Sequence, residues 1–386
     1  MQRSGFSPSL NDYVEVRFTQ VLDGVDSLIQ PVPDNLYIAP GWIDLQVNGY
    51  AGVDYNSPST SHEEIARSIH VLHSTGTTRL FPTVITGSRE NMIGCLRNLS
   101  RAKASLDVGA SMEAFHVEGP HISPDDGPRG AHPRQHVRPP DFDEYRRWQD
   151  ATDGLVRLVT LAPEWPGATD YIQQVVRDGT VVSIGHTAAS PEQIRDAVTA
   201  GATMSTHIGN GAHSVLPRHP NYLWEQLAED RLAAGFIVDG IHIGAAFLKV
   251  ALRAKTVARS VLVTDASMPA LATPGPYRLG EVDVELTPGG RVVLLGGTRL
   301  AGSSLRMDYA IANLMRMTGV GLNEAITMAT RNPARVGRIG GRQRGLAAGD
   351  RADLVVFEYD KTAGKLSLLE TIVSGRTVWS RDSTSA

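Results

Sequence analysis

The sequence predicts an α/β fold, a (β/α)₈ barrel carrying a small β-sandwich domain built from both chain termini. Three observations predict it. An apolar strand-like run ending in a polar residue fit for metal or proton chemistry recurs along the chain, at Gln46, Glu118, His186, His207, Asp239 with His242, and Asp265. Such groups at successive strand ends are the sequence trace of an active site at the top of a barrel. Strand-like and helix-like segments alternate eight times between Pro40 and about Ala334, which favours a closed parallel barrel over an open doubly wound sheet. Residues 12–39 and 345–380 are instead short β-like pieces separated by turn residues.

The eight strands are expected at 42–47, 79–84, 113–117, 156–161, 180–184, 203–207, 234–238 and 260–264. The helix over 61–74 opens with Ser61 and has Glu64 three residues on, a capping-box spacing, while Ile65, Ile69 and Leu72 share one face. The helix over 190–200 has Ser190 at its cap, Pro191 at the first helical position and Gly201 as its stop. Further helices are expected at 90–105, 170–178, 244–254, 305–317 and 322–330. Segment 275–300 reads as a β-hairpin turning at Pro288-Gly289-Gly290. The domain reading is therefore 1–39 with 345–386 as the β domain, and 40–344 as the barrel.

At 386 residues the chain is long enough for a barrel of roughly 250 residues plus a satellite. The net charge of −4 comes with no basic run, which argues against nucleic acid and for a small ligand. No apolar stretch approaches membrane-span length, no signal-peptide core stands at the N-terminus, and Cys95 is the only cysteine, so cytoplasmic residence is the expectation. No glycine-rich fingerprint follows the first strand, which counts against a dinucleotide fold.

Glu118, His186 and His207 are the candidate metal ligands, each at the end of a different strand. Two histidines and a carboxylate suit one divalent ion, zinc or ferrous iron, with a position left open for water. Asp265 leaves the last apolar strand and is placed to act as general base and then general acid. Each of these residues alone also reads as a structural hydrogen-bonding group, and Asp265 as a turn cap. His242 reads equally as a ligand and as a cap for the helix beginning near Gly244.

In order along the chain stand Pro40-Gly41-Trp42-Ile43-Asp44-Leu45-Gln46-Val47-Asn48-Gly49, His116-Val117-Glu118-Gly119-Pro120, Gly185-His186-Thr187, Thr206-His207, Asp239-Gly240-Ile241-His242, Val263-Thr264-Asp265-Ala266 and Leu300-Ala301-Gly302-Ser303-Ser304. Together they resemble the N-acetylglucosamine-6-phosphate deacetylase family of the amidohydrolase superfamily, over about residues 39–375. The resemblance implies a metal-dependent hydrolase that releases acetate from N-acetylglucosamine 6-phosphate. It implies Glu118, His186 and His207 as metal ligands and Asp265 as the catalytic acid/base. It further implies that His132 contacts the substrate amide carbonyl, that His242, Asn210 and Gly211 bind the phosphate, and that Arg218 reaches the phosphate of a neighbouring subunit in a homodimer. Where two-metal members carry His-x-His, this chain has Gln46-Val47-Asn48, so the resemblance is to the mononuclear form.

The segment after His207 departs from the family pattern: Ile208-Gly209-Asn210-Gly211-Ala212-His213, and then Leu216-Pro217-Arg218-His219-Pro220-Asn221. This leaves substrate choice more open than the reaction. Arg218 also reads as a solvated loop residue. His121, His136, His213 and His219 read as peripheral histidines around the mouth. Two other readings stand beside the deacetylase: an amidohydrolase for another N-acyl amino sugar or N-acyl amino acid, and a non-catalytic barrel scaffold.

Overall fold

The computed structural model describes residues 1–29 and 32–382. All eight expected barrel strands form, as Trp42–Val47, Thr77–Ile85, Phe115–Glu118, Val156–Leu161, Val181–Ile184, Met204–Ser205, Ala233–Phe236 and Ser260–Leu262. They pair in sequence order, each parallel to the next. The ring is completed between last and first strands by a parallel bridge from Val47 to Ala266, with Asn48 N–H donating to the Ala266 carbonyl at 2.7 Å. Strand residues are buried on both faces, as expected where helices cover the outside and side chains fill the inside.

One helix follows each strand: His62–His73, Arg89–Ser105, Phe142–Ala151, Ala168–Arg177, Pro191–Ala200, Tyr222–Ala228, Ala245–Lys255 and Met307–Thr318. Both expected capping arrangements are present. Ser61 and Glu64 bond reciprocally, and Ser190 does the same with Gln193 ahead of a left-handed Gly201. Helices Phe142–Ala151, Tyr222–Ala228 and Arg331–Val336 were not expected. In the first, Glu144 is buried against Arg138, so a charged residue occupies part of the inward face and blurs the apolar period. The second is seven residues long and started by Asn221, and the third contains Pro333.

The terminal pieces form one seven-stranded sheet, ordered Arg376–Ser380, Lys365–Val373, Leu354–Asp360, Leu36–Pro40, Gln2–Ser7, Asp12–Phe18 and Leu22–Ser27. Its alternation is two-sided. Ile38, Leu354 and Val356 pack into the domain's own core with Val14, Val16 and Phe18, while Tyr37, Ala39, Val355 and Phe357 join the barrel's core. A buried ion cluster fastens the two: Asp353 accepts from Arg79 at the start of the second barrel strand at 2.8 Å, and from Arg342 at 2.5 Å.

Segment 275–300 corrects one expectation. Its turn lies where expected, with Gly290 N–H donating to Thr287, but the sheet has three strands, Gly275–Leu279, Val282–Leu286 and Val292–Leu294. Gly280, at a positive φ of 55°, allows the additional tight turn. The insert sits over the C-terminal face of the barrel, where Leu279, Val282 and Arg299 line the cavity that also holds Glu118, His186 and His207.

Candidate metal centre and active site

Glu118, His186 and His207 converge from the ends of the third, fifth and sixth strands, and all three are buried. His207 Nε2 lies 2.9 Å from Glu118 Oε1, and His186 Nε2 lies 3.3 Å from the same oxygen. The two imidazole Nε2 atoms are 3.2 Å apart. Nitrogen ligands 2.0–2.1 Å from a tetrahedral ion stand about 3.3 Å from one another, so this spacing is that of a cation's coordination shell. His186 Nδ1 is 2.8 Å from the Pro128 carbonyl, to which it donates, so its Nε2 carries the lone pair a metal needs. Two imidazole nitrogens facing each other beside one carboxylate form a natural cradle for a divalent ion.

The backbone turns sharply at these positions. His186, His207 and Asp265 have φ of 52°, 24° and 50°, a left-handed region that costs non-glycine residues about 1–3 kcal/mol each. The strain swings each side chain from the strand line over the barrel mouth. Gly211, at φ 55°, passes so close to His186 that a Cβ there would sit 2.7 Å from its Nδ1.

Burial pushes the Glu118 carboxyl up, yet its bonds to His186 and His207 hold it well below the usual carboxylate range. Burial lowers His207, but the Glu118 carboxylate outweighs it and raises the imidazole above its ordinary value. Burial and the nearby Glu118 charge raise Asp265 to about 6. His132 is pushed down to about 3, chiefly by burial and then by His186, and therefore stays neutral. Its Nδ1 lies 2.9 Å from Thr86 Oγ1 and its ring packs edge-on to His186 with centroids 4.5 Å apart.

A cavity of about 500 Å³ opens above this centre, within the range of small-molecule sites. It is lined by Glu118, His132, His186, His207, Asn210, Gly211, His242 and Asp265, which brings all the proposed site residues together except Arg218. Arg218 is exposed on its loop and does not line the cavity. His242 is aimed by Asp239, whose Oδ2 lies 2.6 Å from His242 Nδ1 and whose Oδ1 accepts the backbone N–H of Ile241 and His242.

The other histidines divide. His213, expected to be peripheral, lines the cavity and is held by the Tyr222 hydroxyl at 3.0 Å. His121 does not stand at the mouth at all, being fully buried between Trp148 and Tyr171. His136 pairs with Glu281 of the insert at 2.6 Å, and His219 is exposed.

Sequence reasoning missed the work of Gln46 and Asn48. Neither belongs to the Glu118, His186 and His207 cluster; both donate hydrogen bonds to carboxylates. Gln46 Nε2 donates to Glu118 Oε1 at 2.9 Å and to Asp265 Oδ1 at 3.0 Å, and Asn48 Nδ2 donates to Asp265 Oδ1 at 2.6 Å. Their alternation on one strand, two residues apart, was the available signal, since i and i+2 share a face. Also missed was the hydroxyl network filling the barrel below the site, in which Thr206 Oγ1 lies 2.7 Å from Thr160 and 2.6 Å from Ser183, and His116 Nε2 lies 2.8 Å from Thr160.

An eight-stranded barrel with a buried carboxylate and two histidines at its strand ends, and an aspartate beside them, defines an amidohydrolase. The chain belongs to the amidohydrolase family, whose model matches residues 37–378. Among its relatives, N-acetylglucosamine-6-phosphate deacetylase of Bacillus subtilis (strain 168) is 32% identical over 331 residues, covering 85% of this chain and 82% of that one. N-acetylgalactosamine-6-phosphate deacetylase of Escherichia coli O157:H7 is 30% identical over 88% of this chain and 90% of that one. An aspartate-to-alanine variant of N-acetyl-D-glucosamine-6-phosphate deacetylase from Mycobacterium smegmatis, solved with N-acetyl-D-glucosamine-6-phosphate, superposes with a TM-score of 0.85 at 29% identity, over 95% of this chain and 94% of that one.

Proposed function

We propose that this chain hydrolyses the acetamide of N-acetylglucosamine 6-phosphate, giving glucosamine 6-phosphate and acetate. The observation that carries the reading is the Glu118, His186 and His207 cradle with Asp265 in one cavity, in a chain whose curated relatives are deacetylases of phosphorylated amino sugars. One divalent ion, zinc or ferrous iron, held by those three side chains would supply Lewis-acid polarisation and acidify a water. Asp265 takes the proton of the attacking water and returns it to the amine nitrogen as the C–N bond breaks. Gln46 and Asn48 both occupy Oδ1 of Asp265, which leaves Oδ2 for that proton. His132, its Nδ1 2.9 Å from Thr86 Oγ1, would donate from Nε2 to the acetyl oxygen in the tautomer whose Nδ1 accepts the threonine hydroxyl. His242, Asn210 and Gly211 would hold the phosphate end.

The reading also includes cytoplasmic residence, a division into domains at 39/40 and 344/345, and a homodimer in which Arg218 reaches the neighbour's phosphate. The last is supported by the exposure of Arg218 away from its own cavity.

A second reading is deacylation of another N-acyl amino sugar, favoured by the similarity to the galactosamine-directed relative. Acetate release by metal-loaded protein from N-acetylglucosamine 6-phosphate, N-acetylgalactosamine 6-phosphate and unphosphorylated N-acetylglucosamine, measured side by side, decides. Preference for the first supports the main reading, and preference for either of the others replaces it.

A further inference from the structure

We propose that Arg299 is a substrate-binding cation of this chain's own cavity, taking the phosphate of the phosphorylated amino sugar from the same subunit that supplies the metal ligands. The inference rests on the deacetylase reading and adds a specificity residue to it. Among the described residues, Arg299 is the one arginine or lysine lining the cavity. Every other basic group there is a histidine, whose charge depends on pH, whereas a guanidinium is always charged.

The side chain is placed and largely unspent. Its backbone is fixed at the base of the insert, where Leu294 N–H donates to the Arg299 carbonyl at 2.9 Å and Leu300 bridges to Val293. One guanidinium nitrogen, Nη1, donates to the Gly130 carbonyl at 3.0 Å, across the cavity wall. Asp126 lies near enough for Arg299 to contribute to lowering its carboxyl, but its hydrogen bond comes from Arg129, and Arg299 forms no ion pair among the described residues, so most of its five N–H donors remain for a ligand. With the divalent ion of the proposed function in place, its two positive charges are offset by Glu118 and Asp265, so the centre itself holds no net charge to draw in a phosphate dianion, and a cation of fixed charge in the same cavity would supply it. Arg218, exposed and outside this cavity, does not supply one within the subunit.

The competing role for Arg299 is structural. Its bond to Gly130 also clamps the loop that carries His132 and the Pro128 carbonyl. The test separates the two by substrate. In Arg299→Met, KM for N-acetylglucosamine 6-phosphate is expected to rise roughly 10- to 100-fold, the range of a hydrogen bond to a charged group, with kcat and the KM of unphosphorylated N-acetylglucosamine little changed. Arg299→Lys should recover most of the loss. Equal losses on both substrates, or a fall in kcat alone, would assign Arg299 to the loop clamp and overturn the proposal. Calorimetry with the product, glucosamine 6-phosphate, reads the same residue without turnover: weakened binding in Arg299→Met supports the proposal and unchanged binding overturns it. Wild-type protein that deacetylates no phosphorylated sugar would overturn the deacetylase reading, and the calorimetric result would still decide Arg299.

Discussion

Asn48 Nδ2 stands 2.6 Å from Asp265 Oδ1, a contact between the first barrel strand's end and the last that spans 217 residues of sequence. It is a donor held against a carboxylate that burial and Glu118 have already raised. Replacing it leaves Asp265 with Gln46 alone. Asn48→Leu is expected to lower turnover by about 10- to 100-fold and to cost up to about 1.5–3 kcal/mol of stability, because a buried charge-assisted bond of that size is removed. Asp265→Asn should cost about 10²- to 10⁴-fold in turnover while metal content, measured by elemental analysis, stays near one per chain. Near-normal turnover in Asp265→Asn removes this residue from the mechanism.

Metal should also stabilise the fold. His186 and His207 present nitrogens 3.2 Å apart, a geometry that a cation rewards and an empty cradle does not. Ion at about a hundredfold over its Kd adds about 2.7 kcal/mol of stability. Thermal unfolding with and without chelator should show that rise in wild type and lose it in Glu118→Gln. An equal rise in both would place the ion elsewhere.

The terminal sheet should depend on its buried ion cluster. Asp353 accepts both Arg79 and Arg342 in the interior, and the two arginines hold its carboxyl well below the usual range against the upward push of burial. Asp353→Ala leaves two buried guanidinium groups facing each other, which should cost about 3–5 kcal/mol in denaturant unfolding. A cost under about 1 kcal/mol would mean that water reaches and pays for the arginines.

His73 should make acid unfolding steeper. Burial pushes its imidazole down to about 3, and its Nε2 is 2.9 Å from Ser111 Oγ. Between about 6.5 and 3 the unfolded chain therefore binds more protons than the folded one, so stability falls as pH falls through that window. Relative to His73→Gln, wild type should lose about 1.4 kcal/mol per pH unit on acidification below 6.5. Parallel stability curves for the two proteins would contradict a neutral buried His73.

The barrel strands were legible because each is a buried apolar run bounded by turn residues, and the helices because Ser61, Ser190, Pro191 and Gly201 mark their ends locally. The three candidate ligands, Glu118, His186 and His207, were legible as polar residues following such runs, and the fold brings them together. Phe142–Ala151 was not, because its inward Glu144 is made tolerable only by Arg138, a partner outside the helix. Arg299 was not, because an arginine in a β insert reads as an ordinary exposed charge until the insert is placed over the barrel mouth.

The sequence by itself determined what is encoded over short spans: the eight strand–helix units, the capped ends, the β character of both termini and the residues at the strand ends. Tertiary structure decided what depends on groups distant in the chain. It made Gln46 and Asn48 hydrogen-bond donors to the carboxylates Glu118 and Asp265, put His213 in the cavity and His121 in the core, and left Arg218 outside. The reason is that local periodicity and capping act over a few residues, whereas the role of a polar side chain is set by which partners the closed barrel brings within hydrogen-bonding distance.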